Sequence, residues 1–182
     1  LELSADYDAP NMESVATEIA RVEKETGVVL AEEQRAAVAE ALSCGVLIIT
    51  GGPGTGKTTT INTILRILKK EDMDVVLAAP TGRAAKRMTE ATGVAAQTIH
   101  RLLGISFIGE DNRRQTFDKN EEDPIEADVI IIDESSMVDI VLMQALLRAV
   151  ESGSRIIFVG DVDQLPSVGA GNVLKDMIRS ER

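Results

Sequence analysis

The chain has 182 residues, 44% of them hydrophobic, with 30 acids against 19 bases and a formal charge of −11. That size suits one compact domain, no apolar run approaches the ~20 residues of a membrane-spanning helix, and a single cysteine excludes an intrachain disulfide or a cysteine-built zinc cluster. The charge is unevenly spread: residues 1–40 carry ten acids and three bases and residues 110–128 eight and three, whereas 41–109 carry four acids and eight bases, which leaves room there for an anion-facing surface.

At the N-terminus, LELSADYDAP is acidic where a secretory signal would be basic and then apolar, so a cytoplasmic protein is expected. Val15, Ile19 and Val22 recur at helical spacing, as do Val38, Ala41 and Leu42, and the first 45 residues read as two helices. Cys44, just ahead of the next element, reads as a small buried residue. Four short apolar runs rich in branched residues follow: VLIIT at 46–50, VVLAA at 75–79, VIIID at 129–133 and RIIFVG at 155–160. Such runs mark parallel strands buried on both faces. Between them KTTTINTILRILKKE (57–71), GRAAKRMTEATG (82–93) and DIVLMQALLRAV (139–150) have helical periodicity and the length of crossover helices. Strand alternating with helix predicts an α/β three-layer sandwich with right-handed crossovers. The stretch 105–124, polar at its centre between apolar ends, breaks the rhythm and predicts a protruding hairpin with a solvated tip. The chain opens on leucine and stops at IRSER without a closing element, as a piece of a longer protein would.

Gly51-Gly52-Pro53-Gly54-Thr55-Gly56-Lys57-Thr58 fits the phosphate-loop pattern G-x-x-x-x-G-K-[ST], and it follows a predicted strand and opens a predicted helix, as the pattern requires. Its glycines let successive backbone N–H groups converge on phosphate, and the helix start that follows, with Thr59 in its first turn, adds to the attraction. Lys57 is expected to reach the β- and γ-phosphates of ATP and the Thr58 hydroxyl to hold Mg²⁺. Downstream, VIIIDESSMVD puts Asp133 at the carboxyl edge of the sheet, where open α/β folds bind ligands. Asp133 would bind Mg²⁺, directly or through water, and Glu134 would orient and deprotonate an attacking water. Taken alone the glycines fit a plain tight turn and the acidic pair a solvated loop start; the combination of strand, loop, lysine, threonine and helix favours ATP·Mg²⁺.

Gln164, in VGDVDQLPSVGAG after the last strand, places an amide beside the same edge, where it could sense a γ-phosphate; an ordinary polar loop is the competing reading. APTGRAAKRM (79–88) and QTIHRLLG (97–104) put hydroxyls, a glycine and bases where strands give way to helices. Pro80, Thr81, Gly82, Arg83, Lys86, Arg87, Thr98, His100 and Arg101 thus suit a sugar-phosphate backbone, with so few aromatics that base stacking is minor. A lone histidine such as His100 equally suits a core or capping place.

In order and spacing, EEQRAAV, GGPGTGKTT, APTGRAAKRM, QTIHRLLG, VIIIDESSMVD and VGDVDQLPSVGAG resemble the N-terminal motifs of superfamily 1 DNA helicases, in particular the RecD-like branch (the exodeoxyribonuclease V alpha-subunit family), across about residues 28–176. The resemblance implies a P-loop NTPase of RecA-like architecture, the first motor domain of an ATP-dependent helicase moving 5′ to 3′ on single-stranded DNA in repair and recombination. Residues 1–30 would then be a helical lead-in and 31–182 the motor domain. By the same resemblance Gln34 recognises adenine, Thr81 and Thr98 grip DNA phosphates and Gln164 senses the γ-phosphate. The later motifs of that family, carried by a second RecA-like domain that brings arginines to the γ-phosphate, have no counterpart before Arg182, so the chain alone is expected to bind nucleotide yet hydrolyse it slowly and unwind nothing. A nucleotide-binding module of a multi-subunit exonuclease-helicase and a P-loop small-molecule kinase are the alternatives; the kinase would need a substrate lid and catalytic arginines where this chain has Asp133-Glu134.

Overall fold

A computed structural model of the chain describes residues 12–108, 114–161, 163–164 and 173–180. Two helices lead: α1 (Met12–Thr26) and α2 (Glu32–Ser43). Then come β1 (Val46–Thr50), α3 (Lys57–Lys70), β2 (Val75–Ala79), α4 (Gly82–Thr92), β3 (Ala96–Thr98) and α5 (Ile99–Leu102). The hairpin β4 (Ile105–Ile108) and β5 (Arg114–Phe117) precedes β6 (Val129–Ile132), a short 3₁₀ turn at Ser135–Met137, α6 (Ile140–Ala149), β7 (Arg155–Gly160) and α7 (Val173–Arg179). The predicted helices and strands all form, with ends displaced by a residue or two.

Five strands make one parallel sheet in the order β1-β7-β6-β2-β3. The period-two alternation of a strand sorts its side chains between two cores. Val129, Ile131, Ile157 and Val159 point into one core with α1, α2 and α3, and Ile130, Ile132, Ile156 and Phe158 into the other with α5 and α6. The result is the predicted three-layer α/β sandwich. β6 and β7 are buried along their whole length. β1 is not, because it lies at the sheet edge, and Val46 is 38% exposed. Burial on both faces therefore holds for the central strands alone.

The sequence missed β3, which has no apolar run. Ala96-Gln97-Thr98 becomes a strand by pairing with Leu77-Ala78-Ala79 of its neighbour, so its backbone bonds and not its side chains define it. Cys44 is half-buried, at the end of α2, not fully enclosed. The expected hairpin is present, with Ile105 opposite Phe117 and Ile108 opposite Arg114; its tip, 109–113, lies outside the described residues.

One buried cation ties this frame to the α2 helix. Arg155 opens β7 at 2% exposure and donates to the carbonyl oxygens of Ala41 and Leu42, in the last turn of α2, at 3.4 and 3.3 Å. Its other guanidinium nitrogen lies 2.7 Å from Met73 Sδ. Arg155→Ala removes these bonds and opens a cavity, so it should destabilise the chain by about 3 kcal/mol. Urea unfolding followed by circular dichroism checks this; an unchanged midpoint would show that water replaces the guanidinium at no cost.

Candidate active site

The loops after β1, β7, β6, β2 and β3 all open at the carboxyl edge of one sheet, and the strand order sets their sequence along it. The glycine loop comes first, the Gln164 loop next and Asp133-Glu134 third. The turns at Pro80–Arg83 and Thr98–Arg101 lie at the far end, where Ala79 pairs with Thr98. All the predicted site segments thus share one edge, with the acidic pair between the glycine loop and the basic turns.

The glycine loop runs from Gly51 to Gly56 and feeds directly into α3, with Pro53, Gly54, Thr55 and Thr58 exposed and Gly51, Gly52, Lys57 and Thr59 half-buried. The Lys57 ammonium donates to the carbonyls of Gly51 and of Gly52, the latter at 2.9 Å, and Thr55 Oγ1 donates to Gly52 O at 2.9 Å. Lys57 is therefore a tie across the loop and not only a surface charge. Gly56 adopts a left-handed φ of +79° as it starts α3, and a Cβ there would also collide with the Gln34 amide, so only glycine serves. Gln34 comes from the first turn of α2: its Nε2 donates to Thr55 O at 3.2 Å while its Oε1 accepts the Ala31 N–H at 2.9 Å. The second bond is the returning half of a capping box, so Gln34 braces the loop as well as standing beside it.

Asp133 sits one residue past β6, its N–H donating to Ala78 O at 2.9 Å. Burial pushes its carboxyl up, against the Glu134 N–H, the Lys57 charge and the Arg87 charge, which pull it down. Lys57 and Asp133 therefore act on each other across β7. Glu134 leaves the strand at a left-handed φ of 54°, its N–H fixed 2.8 Å from Asp133 Oδ1. Its side chain reaches the other way, to an ion pair with Arg87 of α4 at 2.9 Å. Arg87, which the sequence places among the backbone-gripping bases, faces the acidic pair; the partners are 47 positions apart in sequence, and no local pattern marks them. Close packing holds this corner together. Ser135 Oγ donates to Val159 O at 2.8 Å, and a Cβ on Gly160 would lie 2.7 Å from the Ser135 hydroxyl.

Among the described residues no cluster of three or more histidine, cysteine or acidic side chains could cage a metal. The desolvated Asp133 carboxylate and the Thr58 hydroxyl at the start of α3, both at the carboxyl edge of the sheet, are donors of the kind Mg²⁺ takes, since it uses few protein ligands and shares the rest with water and substrate phosphates. Gln164 is exposed, its N–H 3.3 Å from the carbonyl of the buried Asp161, on the loop between glycine loop and acidic pair. The remainder of its motif, 165–171, lies outside the described residues.

At the basic end both threonines cap helices. Thr81 Oγ1 accepts the Ala84 N–H of α4 at 3.2 Å, and Thr98 Oγ1 accepts the Arg101 N–H of α5 at 3.2 Å. Gly82 and Arg83 are exposed at the start of α4, Pro80 is half-buried, and His100 is half-buried with its ring 6.3 Å from that of Phe117 at the hairpin base. The capping role was legible in the placement of each threonine ahead of a helix.

A parallel sheet whose carboxyl edge joins a glycine loop, a loop lysine and an aspartate after a central strand defines a P-loop nucleotide-binding α/β domain. A family model described as "AAA domain" matches residues 34–170. The chain is 42% identical to the RecBCD enzyme subunit RecD of Mycolicibacterium smegmatis, across 81% of this chain and 30% of that protein. It is 43% identical to the ATP-dependent RecD2 DNA helicase of Deinococcus radiodurans, across 78% of this chain and 19% of that protein. The solved Pif1 helicase of Candida albicans superposes with a TM-score of 0.54 and 29% identity, covering 78% of this chain and 34% of that one. The chain belongs to the AAA domain family and is a RecD-like superfamily 1 helicase motor domain of RecA-like fold. Membership implies nucleotide binding. The chain spans 30% and 19% of the length of these two curated relatives.

Proposed function

We propose that residues 31–182 are the ATP-binding first motor domain of a 5′–3′ DNA helicase that works in the cytoplasm in repair or recombination, with 1–30 a helical lead-in whose described part, α1, packs on α2 and α3. The reading rests on one observation: the strand order that lines up the glycine loop, the Gln164 loop, Asp133-Glu134 and the basic turns along a single edge.

In this scheme the N–H groups of Gly51–Gly56 and the start of α3 cradle the phosphates of ATP, Thr58 and Thr59 close the pocket, and Gln34 meets the adenine. Thr58 and Asp133 hold Mg²⁺, which when bound neutralises phosphate charge. Lys57 adds its charge at the β- and γ-phosphates, and Glu134 takes the proton of the attacking water. Gln164 reports loss of the γ-phosphate through the Asp161 loop. Pro80, Thr81, Gly82, Arg83, Thr98 and His100 hold the phosphates of single-stranded DNA, with the first-turn N–H groups of α4 and α5 supplying donors. Exposed Met137, Ile140 and Val141, just after the acidic pair, offer an apolar face to a second RecA-like domain of the same parent chain. The names of the matching relatives also favour a second reading, as a subunit module of an exonuclease-helicase complex. No helix among the described residues is long and apolar enough to cross a membrane.

Phosphate release from ATP by the full-length protein that carries this chain, with and without single-stranded DNA, tests the proposal. DNA should raise the rate at least about tenfold, while the 182-residue chain alone stays slow for want of an arginine from outside it. Hydrolysis indifferent to DNA would leave the phosphate site standing and remove the nucleic-acid partner.

A further inference from the structure

Glu134 is ion-paired with a base of α4, Arg87. Arg87 projects from the second turn of that helix, four residues beyond Arg83, so the two lie on one helix face. The Arg87 side chain is 63% exposed and touches Glu134 with a single nitrogen, at 2.9 Å, which leaves most of its donors to water; that of Glu134 is 19% exposed. The Glu134 backbone is pinned by its own N–H on Asp133 and by the left-handed turn, so only the side chain is free to reorient. An ion pair open to solvent on one side is weak, and an incoming phosphate oxygen competes with the carboxylate for the same guanidinium on equal chemical terms. Arg83, at the start of the same helix, has no ion-pair partner among the described residues.

We propose that Arg87 is a positioning residue that holds Glu134 away from the attacking water until a phosphate of single-stranded DNA, arriving along the Arg83–Arg87 face, takes the guanidinium and releases the carboxylate. The ion pair links the polymer surface to the hydrolytic corner through one side chain. This rests on the reading of Glu134 as the water activator and of α4 as a DNA surface. Because coupling between two ligands of one group is reciprocal, whatever removes the carboxylate must strengthen DNA binding, even with no nucleotide present.

The test uses the full-length protein that carries this chain. Without nucleotide, anisotropy of a fluorescent oligo-dT should show Glu134→Gln binding about fivefold more tightly than the parent, equivalent to about 1 kcal/mol, and the gain should vanish in an Arg87→Ala background. Arg87→Ala alone should lower the slope of log affinity against log salt by about one. In ATP hydrolysis, Arg87→Ala should raise the DNA-free rate severalfold while the ratio of stimulated to basal rate drops; Arg87→Lys should retain part of the restraint. A Glu134→Gln gain that persists without Arg87, no gain at all, or a DNA-free rate that falls in Arg87→Ala would overturn the proposal. If the parent binds no oligo-dT, the DNA reading itself fails, and this inference with it; if the parent binds but the double-mutant cycle shows no coupling, only the latch is lost.

Discussion

Lys57→Ala should reduce ATP·Mg²⁺ binding below detection in this chain and lower hydrolysis by the full-length protein by about 10²–10³-fold. The ammonium ties two loop carbonyls, Gly51 and Gly52, at the mouth of α3. A phosphate oxygen displaces such carbonyls because it brings a full negative charge to the ammonium, and the Coulomb attraction between two charges exceeds that to a neutral acceptor. Alanine removes both the loop tie and the charge that draws phosphate in. The lost bonds end on half-exposed loop atoms and are worth about 1–3 kcal/mol, so the chain stays folded. Calorimetric titration of ATP·Mg²⁺ beside a circular dichroism melt checks both statements. Parent-like affinity would remove the phosphate site from this loop.

Glu134→Gln should separate chemistry from binding. It keeps the shape of the side chain and its left-handed backbone while abolishing its capacity to take a proton, so kcat of the full-length protein should fall about 10²–10⁴-fold with ATP affinity changed less than about threefold. The Arg87 ion pair it weakens is partly exposed and contributes at most about 1 kcal/mol to folding. Single-turnover hydrolysis with independently measured nucleotide affinity distinguishes the outcomes. A loss of affinity matching that of Lys57→Ala would mean that Glu134 shapes the pocket and does not activate water.

The glycine loop was legible because its determinants are contiguous. Gly51 to Thr58 occupy one loop and one helix start, and the same eight residues set the backbone and are the ones proposed to meet phosphate. Asp133 and Glu134 were legible for a similar reason, since VIIID announces a buried strand and its end. The Arg87–Glu134 pair was not, because the two residues meet only when β2, which leads into α4, pairs with β6. Arg155 reads in sequence as an ordinary strand-edge base; its burial against the end of α2 depends on two segments more than a hundred residues apart. Thr81 and Thr98 carry a second role that the sequence reading leaves out: each hydroxyl caps the helix it precedes.

By itself the sequence determined the α/β class, every helix longer than one turn among the described residues except the C-terminal α7, the four apolar strands, the hairpin and the phosphate loop. These follow from short-range sterics and from periodicities of two and 3.6 that each segment carries internally. Only the tertiary structure decided the strand order, the fifth strand β3, the exposed flank of β1 and which charge faces which. Those depend on the order in which twice-buried strands stack between two helical layers, a choice made by the combined burial of distant segments and written in no one of them.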